Sequence, residues 1–247
     1  MATFHVDVSQ GDIQAIFTPQ LVPGHLVKRY KRFLADVRLG DGTEITAHCM
    51  NPGSMKGLVA EGSPVWLTPH DDPKRKLQWT WQVATEGEAS VGVNTNLPNG
   101  LVAAAVAADA IPELRGYTTH RREVRYGSEK SRIDLLAEGH PDDPRPCYIE
   151  IKSVTLAVDD VAMFPDAVTA RGLKHLRELE RVIADGGRAV MFYLVQRGDC
   201  SRFAPAAHID PAYAEGVAHA KAAGVEVICW SAEVTPHGVR LDRPLST

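Results

Sequence analysis

Two short strands, a long helix and a third strand in the second half of the chain constrain its fold most. Ser131-Arg-Ile-Asp-Leu-Leu carries Asp134 between apolar Ile133 and Leu135, and sixteen residues on Cys147-Tyr-Ile-Glu-Ile-Lys-Ser-Val carries Glu150 and Lys152. Side chains alternate across a strand, so Ile149 and Ile151 share one side of the pleat and Glu150 and Lys152 the other, and Ile133 and Leu135 are expected to face away from Asp134. If the two strands pair, two carboxylates and an ammonium converge. A helix from Thr169 to Ala184 follows, with Leu173, Leu176, Leu179 and Ile183 at helical spacing, Asp166 or Thr169 as cap and Asp185-Gly-Gly as its stop. Arg188-Ala-Val-Met-Phe-Tyr-Leu-Val is then an unbroken apolar run, as a buried central strand requires. A helix over Leu97–Ala110 stopped by Ile111-Pro112, strands near 119–126, 131–138 and 146–154, a helix over Pro211–Ala223 and a strand from Val225 complete the pattern. The order α-β-β-β-α-β predicts a restriction-endonuclease-like α/β domain over 96–247.

Residues 1–95 read differently. Phe33-Leu-Ala-Asp-Val-Arg-Leu and Thr43-Glu-Ile-Thr-Ala-His-Cys flank the hairpin signal Gly40-Asp-Gly, and two more short strands follow, around Trp66 and over Gln78–Ala84. About five short strands in such a span predict an OB-like β-barrel. Trp66, Trp79 and Trp81 are candidates for stacking on bases, with a place in the barrel wall as the competing role.

Oxygen ligands such as Asp134 and Glu150, with the Ile151 carbonyl as a possible third, suit Mg²⁺ or Mn²⁺. Lys152 beside them is placed to activate water or to stabilise charge on a phosphodiester. Together the three make a nuclease-type site, the PD-(D/E)xK pattern, with Asp134, Glu150 and Lys152 as its catalytic residues. Glu-x-Lys alone means little, since a chain of this size contains roughly one by chance. Asp72-Pro-Lys, in a polar stretch without alternation, is set aside. The plain alternative at 150–152 is a solvated ion pair of small energetic worth. Glu123, on the preceding strand, is either a further acid or an exposed charge beside Arg122 and Arg125.

The formal net charge of −4 does not announce nucleic-acid binding, but phosphate contacts come from local patches. Lys28, Arg29, Lys31 and Arg32 form one such patch, Lys74-Arg-Lys another, and Arg121, Arg122 and Arg125 a third. Arg171 and Lys174 lie near a helix start, where an anion is favoured; His175 beside them reads as a packing residue. Asn51, in the polar loop His48–Ser54, is a candidate contact to phosphate or base edges. Cys49, Cys147, Cys200 and Cys229 form no Cys-x-x-Cys pair, which fits a reducing cytoplasm. The N-terminus reads as no signal peptide and no apolar run reaches membrane-spanning length, so no membrane role is expected.

Five stretches carry a resemblance: Arg29-Tyr-Lys-Arg-Phe-Leu-Ala-Asp-Val, His48-Cys-Met-Asn-Pro-Gly-Ser-Met, Ser131-Arg-Ile-Asp-Leu, Cys147-Tyr-Ile-Glu-Ile-Lys-Ser-Val-Thr-Leu and Phe164-Pro-Asp-Ala-Val-Thr-Ala-Arg-Gly-Leu-Lys-His-Leu. In this order they resemble the sugar fermentation stimulation protein (SfsA) family over nearly the whole chain. Met50-Asn-Pro stands where the family form reads Pro-Asn-Thr, leaving Asn51, Gly53 and Met55 in place. The resemblance implies an N-terminal OB-like domain, a nuclease-like C-terminal domain and binding to DNA. Three functions are thus in play: a metal-dependent nuclease, a non-catalytic DNA-binding regulator of sugar (maltose) metabolism genes, and a small-molecule phosphate-ester hydrolase. DNA against RNA, strandedness and oligomeric state are left open by the sequence.

Overall fold

The computed structural model describes residues 3–9, 12–127 and 131–247. Alternation of small and apolar residues builds the barrel. Leu26, Ala35, Val37, Ala47, Cys49 and Leu67 point inward and are fully buried together with Trp81. Its first five strands are preceded by a hairpin, β1 (Phe4–Ser9) and β2 (Asp12–Phe17). The barrel comprises β3 (Val22–Tyr30), β4 (Leu34–Leu39), β5 (Glu44–Cys49), β6 (Pro64–Pro69) and β7 (Trp79–Glu86), with β8 (Ala89–Gly92) paired to β7. The expected turn at Gly40-Asp-Gly joins β4 to β5, where Gly42 takes the left-handed backbone at φ +87°. Antiparallel pairing of β3 with β6, and parallel pairing of His48 with Thr80 and Cys49 with Trp81, close the barrel in the OB manner. Trp81 is in the core, its indole N–H bonded to the Val83 carbonyl at 2.9 Å, so it is not a base platform. Trp66 and Trp79 are half-buried in walls, as the competing role had it.

The hairpin β1–β2 corrects the expected span 1–95 for the barrel. It joins the other domain's sheet, β2 pairing with the last strand of the chain. Such pairing across more than two hundred residues leaves no local trace in sequence.

The α/β domain runs α1 (Leu97–Ala107), β9 (Thr119–Tyr126), β10 (Ser131–Glu138), β11 (Cys147–Val154), β12 (Leu156–Val158), β13 (Val161–Phe164), α2 (Ala170–Ala184), β14 (Arg188–Val195), β15 (Arg202–Pro205), α3 (Pro211–Ala222), β16 (Glu226–Thr235) and β17 (Gly238–Pro244). Its eight-stranded sheet has the order β1-β2-β17-β16-β14-β11-β10-β9, with β11, β14 and β16 parallel. Helix α1 covers one face over Ile149, Ile151, Phe192 and Leu194. Helices α2 and α3 cover the other over Met191 and Tyr193. Burial on both faces accounts for the apolar run of β14. Helix α1 stops at Ala107, short of Ala110, because Asp109 turns left-handed at φ +53°, a conformation Asp tolerates.

A buried polar seam joins the domains near the site. Gln196, after β14, receives the Gly92 N–H at 2.8 Å and donates to Ser153 at 2.8 Å, beside Lys152. Arg197, 3% exposed, donates to Glu86 of the barrel at 2.6 Å. Its other two nitrogens reach Asp199, each at 2.7 Å, so the guanidinium is held from both sides.

Candidate active site

Strands β10 and β11 pair from Ala137–Cys147 only as far as Leu135–Ile149. Beyond that point the Asp134 carboxylate takes the place of a strand: its Oδ2 accepts the Ile151 N–H at 2.8 Å, and its Oδ1 accepts from Asn99 of α1 at 2.8 Å. Alternation breaks here. Ile133 packs into the core under α2 and Leu135 into the core under α1, so the expectation that both face away from Asp134 on one side is corrected. Across β9 the partner position is Glu123, exposed and held left-handed at φ +55°.

Glu150 and Lys152 alternate toward α2 as expected, and there they meet His175. Glu150 is 2% exposed; its Oε1 accepts from the Lys152 ammonium at 2.7 Å and is in hydrogen-bonding contact with His175 Nδ1. Lys152 Nζ lies 3.0 Å from the same His175 nitrogen, and Arg171 Nε lies 3.4 Å from His175 Nε2. All of these side chains line one cleft of about 400 Å³, whose opposite wall is Asn51, Pro52 and Gly53 of the barrel.

The two carboxylates differ electrostatically. Burial, reinforced by the Glu150 charge, pushes Asp134 up to about 6 against the offsetting Ile151 N–H. Burial also raises Glu150, but the Lys152 charge and the His175 hydrogen bond outweigh it and leave that carboxyl below its ordinary value. Glu150 Oε2 is buried with no hydrogen-bond partner. A buried, unpartnered carboxylate oxygen next to a second carboxylate short of positive charge fits a hard divalent cation. The donor set is lean: among the described residues no group of three or more His, Cys, Asp or Glu is arranged to hold a metal.

The other expected contacts divide. Arg171 is exposed at the cleft rim, whereas Lys174 is half-buried and does not line the cleft. Lys31 and Arg32 are exposed at the turn between β3 and β4, and exposed Lys28 lies 3.5 Å from Asp36. Arg29 is corrected from a strand-tracking cation to a brace: its Nη2 donates to the Asn51 and Gly53 carbonyls, each at 2.9 Å. Asn51 is buried, and its side chain accepts the Gly53 N–H at 2.8 Å. Asp166 does not cap α2; Thr169 does, accepting from the Gly172 N–H at 3.0 Å. Asp166 instead accepts the Met55 N–H at 2.9 Å and, through its carbonyl, the Ser54 hydroxyl at 2.7 Å, docking the barrel loop beside the cleft. Asn99 escaped the sequence reading, and His175, read there as a packing residue, is buried but meets Glu150 and Lys152. His175 lies four residues after Arg171 and one before core Leu176, so helical spacing placed it on the inner face without showing what it meets.

Comparison with known proteins agrees with this architecture. Residues 27–93 match the SfsA N-terminal OB domain and residues 96–238 the sugar fermentation stimulation protein RE domain. A sugar fermentation stimulation protein homolog of Paramagnetospirillum magneticum is 53% identical over 93% of this chain and 96% of its own length. That of Geobacter metallireducens is 52% identical over 91% and 96%. The solved structure of Pyrococcus furiosus SfsA in complex with Ca²⁺ superposes with a TM-score of 0.84 at 26% identity, covering 94% of this chain and 96% of that one. The chain belongs to the sugar fermentation stimulation protein family.

Proposed function

We propose that the chain is a divalent-metal-dependent nuclease acting on DNA in the cytoplasm, with Asp134 and Glu150 as metal ligands and Lys152 as the cation that serves the attacking water. The observation that carries this reading is Glu150: a buried carboxylate with one oxygen held by Lys152 and His175 and the other without a partner, in the cleft that Asp134 also lines. The Ca²⁺ in the Pyrococcus furiosus relative's structure supports an oxygen-ligand cation here. Mg²⁺ or Mn²⁺ at Asp134 and Glu150 would supply positive charge to a phosphodiester and make water a better nucleophile. Lys152, held by Glu150, keeps its ammonium in the cleft, and Arg171 at the rim offers a guanidinium to a neighbouring phosphate. The four thiols, buried and unpaired, suit a reducing compartment.

Purified protein incubated with single- and double-stranded DNA in Mn²⁺, Mg²⁺ or EDTA tests the reading. We expect metal-dependent cleavage that falls by about 10²–10⁴-fold in Lys152→Ala, the range for a positioned proton-transfer or charge-stabilising group. Salt-sensitive DNA binding with no cleavage under either metal would replace the nuclease by a regulator that only binds.

A further inference from the structure

The turn Lys31-Arg32-Phe33 between β3 and β4 carries an exposed aromatic ring. Lys31 and Arg32 are consecutive non-glycine residues in the left-handed region, at φ +48° and +63°. Tight hairpin turns call for positive φ, and Lys and Arg adopt it at a cost. The residue presented is Phe33, 45% exposed. Its ring stands over solvent beside His48 on β5, with ring centroids 6.4 Å apart and planes tilted by 38°. Burial and the nearby Arg75 charge lower His48, so the imidazole is a neutral, flat neighbour at neutral pH. Counted from the first barrel strand, this is the loop between strands one and two next to the face of strand three, the part of an OB barrel suited to oligonucleotides.

The surface also leads somewhere. The Phe33 carbonyl accepts the Cys49 N–H at 2.8 Å, and two residues further Asn51 lines the cleft. Three residues span at most roughly 10 Å, the reach of an extended chain from His48 to Asn51. Exposed Lys31 and Arg32 flank the ring with positive charge, which suits a phosphate backbone rather than an apolar protein segment.

We propose that Phe33, with His48 beside it, is a stacking platform for an unpaired nucleobase, and that the barrel presents single-stranded nucleic acid to the cleft. A ring can cover a base face only where that base is out of a duplex. The proposal rests on the reading of the cleft as a nucleic-acid site and adds strandedness to it.

The test is fluorescence anisotropy in EDTA, so that cleavage cannot interfere, with fluorescein-labelled oligothymidine of about twelve nucleotides, within the site sizes of OB folds, and a labelled blunt hairpin duplex. Phe33→Ala should weaken oligothymidine binding by about tenfold or more, the effect of losing one stacked base, and leave the hairpin within about twofold. Phe33→Trp should retain affinity, and its added emission should change on oligothymidine and not on the hairpin. Oligothymidine binding unchanged in Phe33→Ala, equal weakening of both probes, or a silent Phe33→Trp would each overturn the platform while leaving the nuclease reading intact. Failure of the wild-type chain to bind either probe, in EDTA and again with Ca²⁺ in its place, would overturn both.

Discussion

Two polar clusters face each other across the cleft, the barrel loop at 51–55 and the acidic pair of the α/β sheet. In the loop most hydrogen-bonding groups are matched internally, Arg29 Nε being a buried exception. Arg29 covers two carbonyls, Asn51 takes the Gly53 N–H, and Asp166 takes the Met55 N–H. In the sheet, Glu150 Oε2 has no partner and Asp134 is held up to about 6 by burial and by Glu150. Both clusters are dense in polar residues, and sequence alone rates them alike. The difference teaches that the loop is a scaffold that fixes one wall, whereas the acidic pair sets two carboxylates against one ammonium, that of Lys152.

Asp134 gives the largest handle on that contrast. A carboxyl whose value is raised from 3.8 to about 6 favours the fold when protonated. Its contribution is fully present below about pH 4 and is lost as pH rises through about 6; two units correspond to roughly 3 kcal/mol. Urea unfolding of wild type and Asp134→Asn at pH 4 and pH 7.5 should therefore show wild type losing about 3 kcal/mol relative to the variant over that interval. A constant difference between the two proteins would place Asp134 in an ordinary solvated setting and erase the contrast.

The loop side should respond to shape rather than pH. A Cβ on Gly53 would lie 2.5 Å from Asp166 Oδ2 and 2.9 Å from Asn51 Oδ1. Gly53→Ala should cost about 1–3 kcal/mol by urea unfolding, with little dependence on pH between 5 and 8. Neutral behaviour of this variant would mean that the loop is not docked on Asp166.

The legible part of the molecule was whatever short-range periodicity encodes. Alternation in Cys147–Val154 put Glu150 and Lys152 on one side, helical spacing marked α2, and the apolar run of 188–195 marked a central strand. What stayed hidden depends on partners distant in the chain. Asp166 looked like a helix cap because its true contacts, Ser54 and Met55, are 111 and more residues away. Arg29 looked like a phosphate contact because nothing local shows that its donors meet the 51–54 loop. His175 is local to Arg171, yet its role comes from Glu150 and Lys152 on a strand that only folding brings beneath it. The break in alternation at Asp134 was equally invisible, since it follows from the splaying of β10 from β11 and from the left-handed Glu123 opposite.

The central claim is that Glu150 and Asp134 form an incomplete cation site. Thermal unfolding at pH 7.5 in increasing Mn²⁺ tests it without reliance on any substrate. A ligand at about a hundred times its dissociation constant stabilises by about 2.7 kcal/mol, which for a chain of this size is roughly 5–10 °C in Tm. The wild-type chain should show that rise and Glu150→Gln should not. An equal rise in both proteins, or none in the wild type, would contradict the account.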